Sequence, residues 1–288
     1  MDTIQEVIAL LTLEKIDDNT FVGVNYETPW GRVFGGQVLG QSLYAAYQTV
    51  PKDRFAHSMH AYFILGGQLG IPIQYEVDSI RDGKSFTTRR VVAKQNGVPI
   101  FNMSASFHKN EKGVDHQIPM PNLIKPESLD TSRDEIKVLE KFAPKIYNRL
   151  KSVLPKVFDI RSVESFLTKY SKNGSPFDNL WFKTSEVLDQ KNTAIHHQIL
   201  AYASDYNLLS TATFPHREEL NNKNIFYTSL DHALWFHRDF RIDQWLLYAM
   251  DSPSASNSLG FARGSIFNKK GELIASVAQE GLIREQTK

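Results

Sequence analysis

The stretch Ile73-Gln74-Tyr75-Glu76-Val77-Asp78-Ser79 aligns with Leu246-Leu247-Tyr248-Ala249-Met250-Asp251-Ser252 at an offset of 173 residues. Ile matches Leu, Tyr matches Tyr, and the Asp-Ser pair recurs. Moving outward, the same offset sets Tyr62-Phe63 on Trp235-Phe236. One residue further, an offset of 174 sets Arg89 on Arg263, Gly97 on Gly271, Ile100 on Ile274 and Met103 on Val277. Upstream the offset falls to 161, with Gln37-Val38-Leu39-Gly40 on Gln198-Ile199-Leu200-Ala201. The chain therefore carries two copies of one unit. The second holds about a dozen extra residues after its helix, placed in the Asn-, Pro- and charge-rich segment Pro215 to Asn224.

Each copy reads as strand, helix, then a run of strands. Val38–Val50 is free of proline and stops before Pro51, which suits one helix, and Gln198–Ala212 takes that part in the second copy. Ser58–Phe63, Pro72–Ile80, Ser85–Lys94 and Pro99–Phe107 read as strands, with Arg81-Asp82-Gly83-Lys84 and Gln95-Asn96-Gly97 as hairpin turns. One helix followed by hairpins predicts an α+β fold with antiparallel sheets wrapped on helices. The expected divisions are 1–109 for the first half, 110–156 for a linker, and 157–288 for the second half. The linker has a Pro-rich start, Ile118-Pro119-Met120-Pro121, and a charged helix from about Ser132 to Leu154 kinked at Pro144, and it serves as a bridge or as a lid. Met1–Leu13 reads as an amphipathic helix with Ile4, Val7, Ile8 and Leu11 on one stripe.

Composition narrows the function. Of 288 residues, 41% are hydrophobic and 11% aromatic, enough for a packed core. With 33 basic and 32 acidic side chains the net charge is +1, so no global field draws nucleic acid or an anionic membrane. There is no cysteine, which excludes disulfides, thiol nucleophiles and thiolate-bound metal, and cytoplasmic residence is the default expectation. No window reaches the roughly 18 apolar residues of a membrane span. The start lacks the features of a signal peptide, and the ending Arg284-Glu285-Gln286-Thr287-Lys288 is no peroxisomal address.

Where two copies share a core, a position that turns polar in only one of them is informative. Three such positions stand out: Asp205 against Tyr44, Ser229 against Ala56, and Gln279 against Ala105. Asp205 is expected mid-helix on the apolar side, with Ala201, Tyr202, Leu208 and Leu209 as helical neighbours. Gln279 shares a strand face with Leu273, Ala275 and Val277. A buried carboxylate is either paired or functional. Satisfying backbone groups at the seam between the halves is the structural alternative.

The stretches Val33-Phe34-Gly35-Gly36-Gln37-Val38-Leu39-Gly40-Gln41 and His57-Ser58-Met59-His60-Ala61-Tyr62-Phe63 resemble the type II acyl-CoA thioesterases. So do Tyr202-Ala203-Ser204-Asp205, Ser229-Leu230-Asp231-His232-Ala233-Leu234-Trp235-Phe236-His237-Arg238, and Ala278-Gln279-Glu280-Gly281, in the family's order. The resemblance implies a double hotdog, with two sheets each wrapped on a long helix and joined into one. It also implies hydrolysis of acyl-CoA to fatty acid and coenzyme A without metal or cofactor. Its catalytic Asp–Thr/Ser–Gln constellation falls on Asp205, Ser229 and Gln279. Thr228 precedes Ser229, and counting back from Asp231-His232 selects Ser229. One departure is plain: where relatives commonly read Phe-Leu-Arg-Pro-Gly, this chain has Phe63-Ile64-Leu65-Gly66-Gly67, without the arginine.

Asp205 is then the base for a water fixed by Ser229 and Gln279, and amides at Gly35-Gly36 or near His196-His197 are candidate oxyanion donors. A serine nucleophile lacks its G-x-S-x-G elbow. Arg89 and Arg263 are candidate contacts for CoA phosphates, alongside Arg90 and Lys94, and His57 is a further candidate substrate contact. The pairs His57/His60 and His232/His237 lack helical i, i+4 metal-ligand spacing. Rival functions are a hotdog enoyl-CoA hydratase, which needs an Asp/His pair, and a non-catalytic acyl-CoA binding protein. A homo-oligomer, dimer or tetramer, is expected.

Overall fold

The computed structural model describes residues 1–165, 172–188, 192–221 and 223–286, with the side chains of residues 146 and 149 left aside. The last two residues of the C-terminal address, and residue 222 of the extra segment, lie outside the described residues.

The first half begins with α1 (Ile4–Leu11), capped by Thr3 and Glu6 in a reciprocal capping box, and it buries Ile4, Val7 and Leu11. Short strands β1 (Glu14–Lys15) and β2 (Thr20–Gly23) lead to helix α2 (Gly35–Tyr47). Strands β3 (Phe55–Phe63), β4 (Ile73–Asp82), β5 (Phe86–Gln95) and β6 (Val98–His108) follow. The linker holds α3 (Ser132–Glu135), α4 (Val138–Phe142) and α5 (Pro144–Val153). The second half has β7 (Phe158–Ser162), β8 (Phe177–Thr184), helix α6 (Thr193–Ser204), and a 3-10 stretch at Leu209–His216 running into α7 (Arg217–Leu220). It closes with β9 (Ile225–Ser229), β10 (Asp231–Phe236), β11 (Leu246–Ser256), β12 (Leu259–Asn268) and β13 (Leu273–Glu285).

Among the described residues the strands form one antiparallel sheet in the order β1-β2-β4-β5-β6-β3-β10-β13-β12-β11-β8-β7, with β9 also on β13. The two halves meet where β3 pairs β10. There Ala233 lies opposite His60, its own counterpart at offset 173, so the pseudo-twofold axis of the repeat passes through that pair. Met59 and Leu234, adjacent on this seam, are fully buried. Helices α2 and α6 pack against each other, and the main apolar core is built from their residues together with those of the sheet.

Three expectations on the elements change. Helix α2 begins at Gly35, three residues before Val38, and ends at Tyr47. Helix α6 stops at Ser204 with Asp205 as its C-cap, instead of running on to Ala212. Asn207 there adopts φ 65, a left-handed conformation that asparagine tolerates and an α-helix does not. The linker helix is three short helices, broken at Ala143 (φ −146, ψ 63), because Pro144 disfavours helical geometry in the residue before it. The linker packs on the second half: Met120, Leu123 and Leu129 lie against Trp181, Leu247 and Phe267, and Trp181 Nε1 donates to Ile124 O at 2.9 Å.

Candidate active site

Helix α2 has Phe34 at its N-cap, with no side chain closing the end, so the amides of Gly35 and Gly36 lack intrahelical acceptors. Facing them is Asp205, at the C-terminal end of α6. A methyl group on Gly35 would lie 2.7 Å from Asp205 Oδ2, and one on Gly36 would lie 2.2 Å from Tyr202 O. The two glycines therefore let the helix ends approach to a distance no side chain permits. The carboxylate of one helix serves the open N-terminus of the other, where the macrodipole favours negative charge.

Burial pushes the Asp205 carboxyl up to about 6, with the Gly36 amide and the Gln279 side chain pulling it back. Its Oδ1 is enclosed and has no hydrogen-bond partner. Behind it stand Phe34, Tyr202 and Tyr206, with ring centroids 4.6–5.2 Å from Phe34 to each tyrosine. A carboxylate raised toward neutrality, with one oxygen unoccupied, is suited to accept a proton near neutral pH.

Ser229 ends β9. Along β13 the register passes from Ser229↔Gly281 to Ala233↔Ala278, four residues on one chain against three on the other, which is a β-bulge at Leu230–Asp231. The first half shifts register at the equivalent place, between Ala56 and Ser58. Gln279 Nε2 donates to Ser229 Oγ at 2.5 Å, which singles out Ser229 over Thr228. Asp205, Ser229 and Gln279 are thus brought to one point, together with Gly35 and Gly36.

That point joins two cavities. The larger, about 800 Å³, is walled by Trp30, Val33, Phe34, Phe63, Phe101 and Leu230, among others. The smaller, about 290 Å³, is lined mainly by polar residues, among them Asn207, Ser210, Thr213 and Arg217. Asp205, Leu209, Tyr227 and Ser229 border both. Among the described residues, none of the 110–156 segment borders either cavity.

The other candidates lie elsewhere. Arg89 is buried at the opposite end of α2, donating to Thr49 O (2.8 Å) and Thr49 Oγ1 and pairing with Asp82, so it ties down that helix end. A helix of 13 residues separates it from Gly35 by roughly 20 Å. Arg263 pairs with Asp251 on the exposed strand face, as Arg90 does with Asp78 and Lys94 with Glu76. His57 sits at the bulge of β3, bonded to Ser106 Oγ and edge-on to Phe86, and borders neither cavity. His197, buried and pushed down to about 3, bonds Tyr47 Oη.

Two family models divide the chain: "Acyl-CoA thioesterase N-terminal domain" matches residues 26–108 and "Acyl-CoA thioesterase" matches 160–282. Over 98% of both chains it is 40% identical to acyl-CoA thioesterase 2 of Haemophilus influenzae. The chain belongs to the acyl-CoA thioesterase family. Among solved structures, acyl-CoA thioesterase II of Mycobacterium marinum matches with a TM-score of 0.80 and 36% identity, covering 98% of this chain and 99% of that one. A hot dog fold protein of Alicyclobacillus acidocaldarius matches at TM-score 0.74 and 15% identity over 97% and 98%, a likeness of fold alone. The double hotdog is the architecture of this thioesterase family member.

Arg32 escaped the reading of the sequence. It borders the larger cavity, donates to Tyr227 O at 2.6 Å, and lies over the Phe226 ring at 4.9 Å. Its side chain passes 3.7 Å from where a Cβ on Gly66 would be, beside the turn that lacks the family's arginine. Only tertiary proximity links these two loops, so no local pattern marks Arg32. Ser204 and His232 were also missed, although the repeat comparison contains them: Leu43 and Met59 occupy their places in the first half.

Proposed function

We propose that this chain hydrolyses fatty acyl-CoA to free fatty acid and coenzyme A, with a water activated by Asp205 and held by Ser229 and Gln279. The observation that carries the reading is Asp205 itself, with an unpartnered Oδ1, bordering both a larger apolar cavity and a smaller one lined mainly by polar residues. The thioester lies in the larger cavity and water reaches it from the smaller. Asp205 takes a proton from the water as its oxygen attacks the thioester carbon. Negative charge then collects on the former carbonyl oxygen, and the amide of Gly35 at the uncapped start of α2 is placed to stabilise it. Collapse breaks the carbon–sulfur bond, and the proton held by Asp205 passes to the departing thiolate.

Thiol release from acyl-CoA of graded chain length, wild type against Gln279→Ala, tests this reading. Loss of one polar contact to the reacting water is expected to lower kcat by about 10²–10³-fold. Full activity in Gln279→Ala removes the residue assignment. Acyl-CoA left intact by the wild type marks a binding protein, and loss of an enoyl double bond marks a hydratase.

The same reading assigns Arg32 to the anionic portion of coenzyme A. Its guanidinium takes part in no ion pair among the described residues, and burial pulls its pKa down, so an incoming phosphate gains a charge-assisted partner. Arg32→Met keeps the apolar stem and removes the charge; KM is expected to rise about tenfold with kcat within about threefold. An unchanged KM at low salt excludes the contact. Assembly as a homo-oligomer and residence in the cytoplasm complete the proposal; among the described residues no helix is long and apolar enough to cross a membrane.

A further inference from the structure

Behind Gln279 runs a buried string of polar groups. Gln279 Oε1 lies 2.7 Å from His232 Nδ1, and His232 Nε2 lies 2.9 Å from Ser204 Oγ. The Ser204 hydroxyl donates to Ala201 O at 3.0 Å, and Tyr248 Oη donates to Ser204 O at 3.0 Å. Ser204, His232 and Gln279 are all within 1% of complete burial. In the first half the equivalent positions are Leu43, Met59 and Ala105, equally buried and wholly apolar. The fold therefore packs well without these polar groups, and a structural need does not explain them. Polar atoms held in a core that has a working apolar alternative point to a role in the neighbouring site.

We propose that His232, held by Ser204, is the positioning residue of the site: it fixes the orientation of the Gln279 amide so that the NH₂ group faces Ser229 and Asp205. The proposal rests on the Asp205–Ser229–Gln279 reading above. Its physical basis is proton counting. Burial pushes His232 down to about 4, so near neutrality the ring is uncharged and carries one N–H. If that proton is on Nδ1, it donates to Gln279 Oε1, and the Ser204 hydroxyl turns its one proton from Ala201 O to Nε2. The amide NH₂ is then turned to Ser229 Oγ and toward the Asp205 carboxylate. If the proton is on Nε2, the stable arrangement turns the amide over, and its oxygen faces a carboxylate. Repulsion disfavours that state whenever Asp205 is ionised. The Nδ1–H tautomer thus holds the donors of Gln279 at the water, and the amide needs no reorientation during the reaction.

His232→Met installs the residue that the first half already packs at this place, and His232→Asn retains a donor near Nδ1. A misaligned amide is expected to lower kcat on the order of 10²-fold in His232→Met, with KM within about threefold, and His232→Asn to recover most of that loss. In a Gln279→Ala background, His232→Met should have no further effect on kcat, because its action passes through that amide. A purely structural role predicts instead an equal loss in both backgrounds, and that result overturns the proposal. So does full kcat in His232→Met. If Gln279→Ala itself keeps full kcat, the wider site reading fails as well; if Gln279→Ala is impaired and His232→Met is not, only the positioning role fails. A measurement on the wild-type protein stands independently of how the variants fold: ¹⁵N-histidine NMR should show the Nδ1–H tautomer for His232, and an Nε2–H signal refutes the arrangement.

Discussion

Asp205→Asn should lower kcat by about 10²–10⁴-fold, the range that general-base assistance contributes, while making the protein more stable at pH 7–8. The two effects share one cause. In the folded state the carboxyl is raised to about 6 by burial, against roughly 3.9 in the unfolded chain. Below about pH 4 both states hold the proton and ionisation makes no difference. Between about 4 and 6 the folded state binds the extra proton, so stability falls as pH rises through this window. Above it the full penalty applies, about 2–3 kcal/mol for a carboxyl raised from roughly 3.9 to about 6. Asparagine is nearly isosteric and uncharged, so it removes the penalty. Denaturant titrations at pH 4 and pH 8 should show the gain at pH 8 and none at pH 4. The wild type should show kcat/KM rising with pH up to about 6 and level above, as the base loses its proton. A variant that keeps activity within threefold of wild type, or one that is destabilised at pH 8, contradicts the assignment.

Gly36→Ala should damage both folding and catalysis. The added methyl would lie 2.2 Å from Tyr202 O, a backbone atom of α6 that cannot rotate aside, and the Phe34 ring is nearly as close. Relief requires helix α2 to move away from α6 by about an ångström. Overpacking of this type costs about 1–3 kcal/mol. The same displacement carries the amides of Gly35 and Gly36 away from Asp205, and a misplacement of that size can lower kcat by on the order of 10²-fold. Gly31, at φ 75 with nothing within 4 Å of an added Cβ, is the contrasting position: strained by backbone conformation alone and away from the helix seam. Melting temperature and thiol release measured together decide the matter. Wild-type values for both in Gly36→Ala would mean that the helix ends do not meet as described.

Much of the molecule was legible before its coordinates. The offset of 173 anticipates which strands correspond, and the axis of the repeat indeed passes through His60 and Ala233, residues related by that number. The positions Asp205, Ser229 and Gln279 stand out because one half is polar where the other is apolar, a contrast that depends only on shared core geometry. The end of α6 was not legible: Ala201, Tyr202, Leu208 and Leu209 keep a helical rhythm past Asp205, but Asn207 turns left-handed and the backbone departs. The expectation therefore placed Asp205 within a helix, instead of at its C-cap. Arg89 and Arg263 were grouped because they align, yet one is buried at the far end of α2 and the other exposed in an ion pair. Residue type and alignment say nothing about which end of a sheet faces a cavity.

The sequence by itself determined that there are two copies of one unit, that their cores are alike, and that the second departs from the first at a few polar positions. Periodicity and repetition are local properties, and each stretch carries them independently of the rest. Tertiary structure decided what those polar positions form. Only the antiparallel approach of α2 and α6 brings the Gly36 amide to Asp205, and only the bulge at Leu230–Asp231 aims Ser229 at Gln279. Ser204 and His232 joined the site for the same reason: hydrogen bonds across 28 and 47 residues of chain exist only once the sheet has closed around its helices.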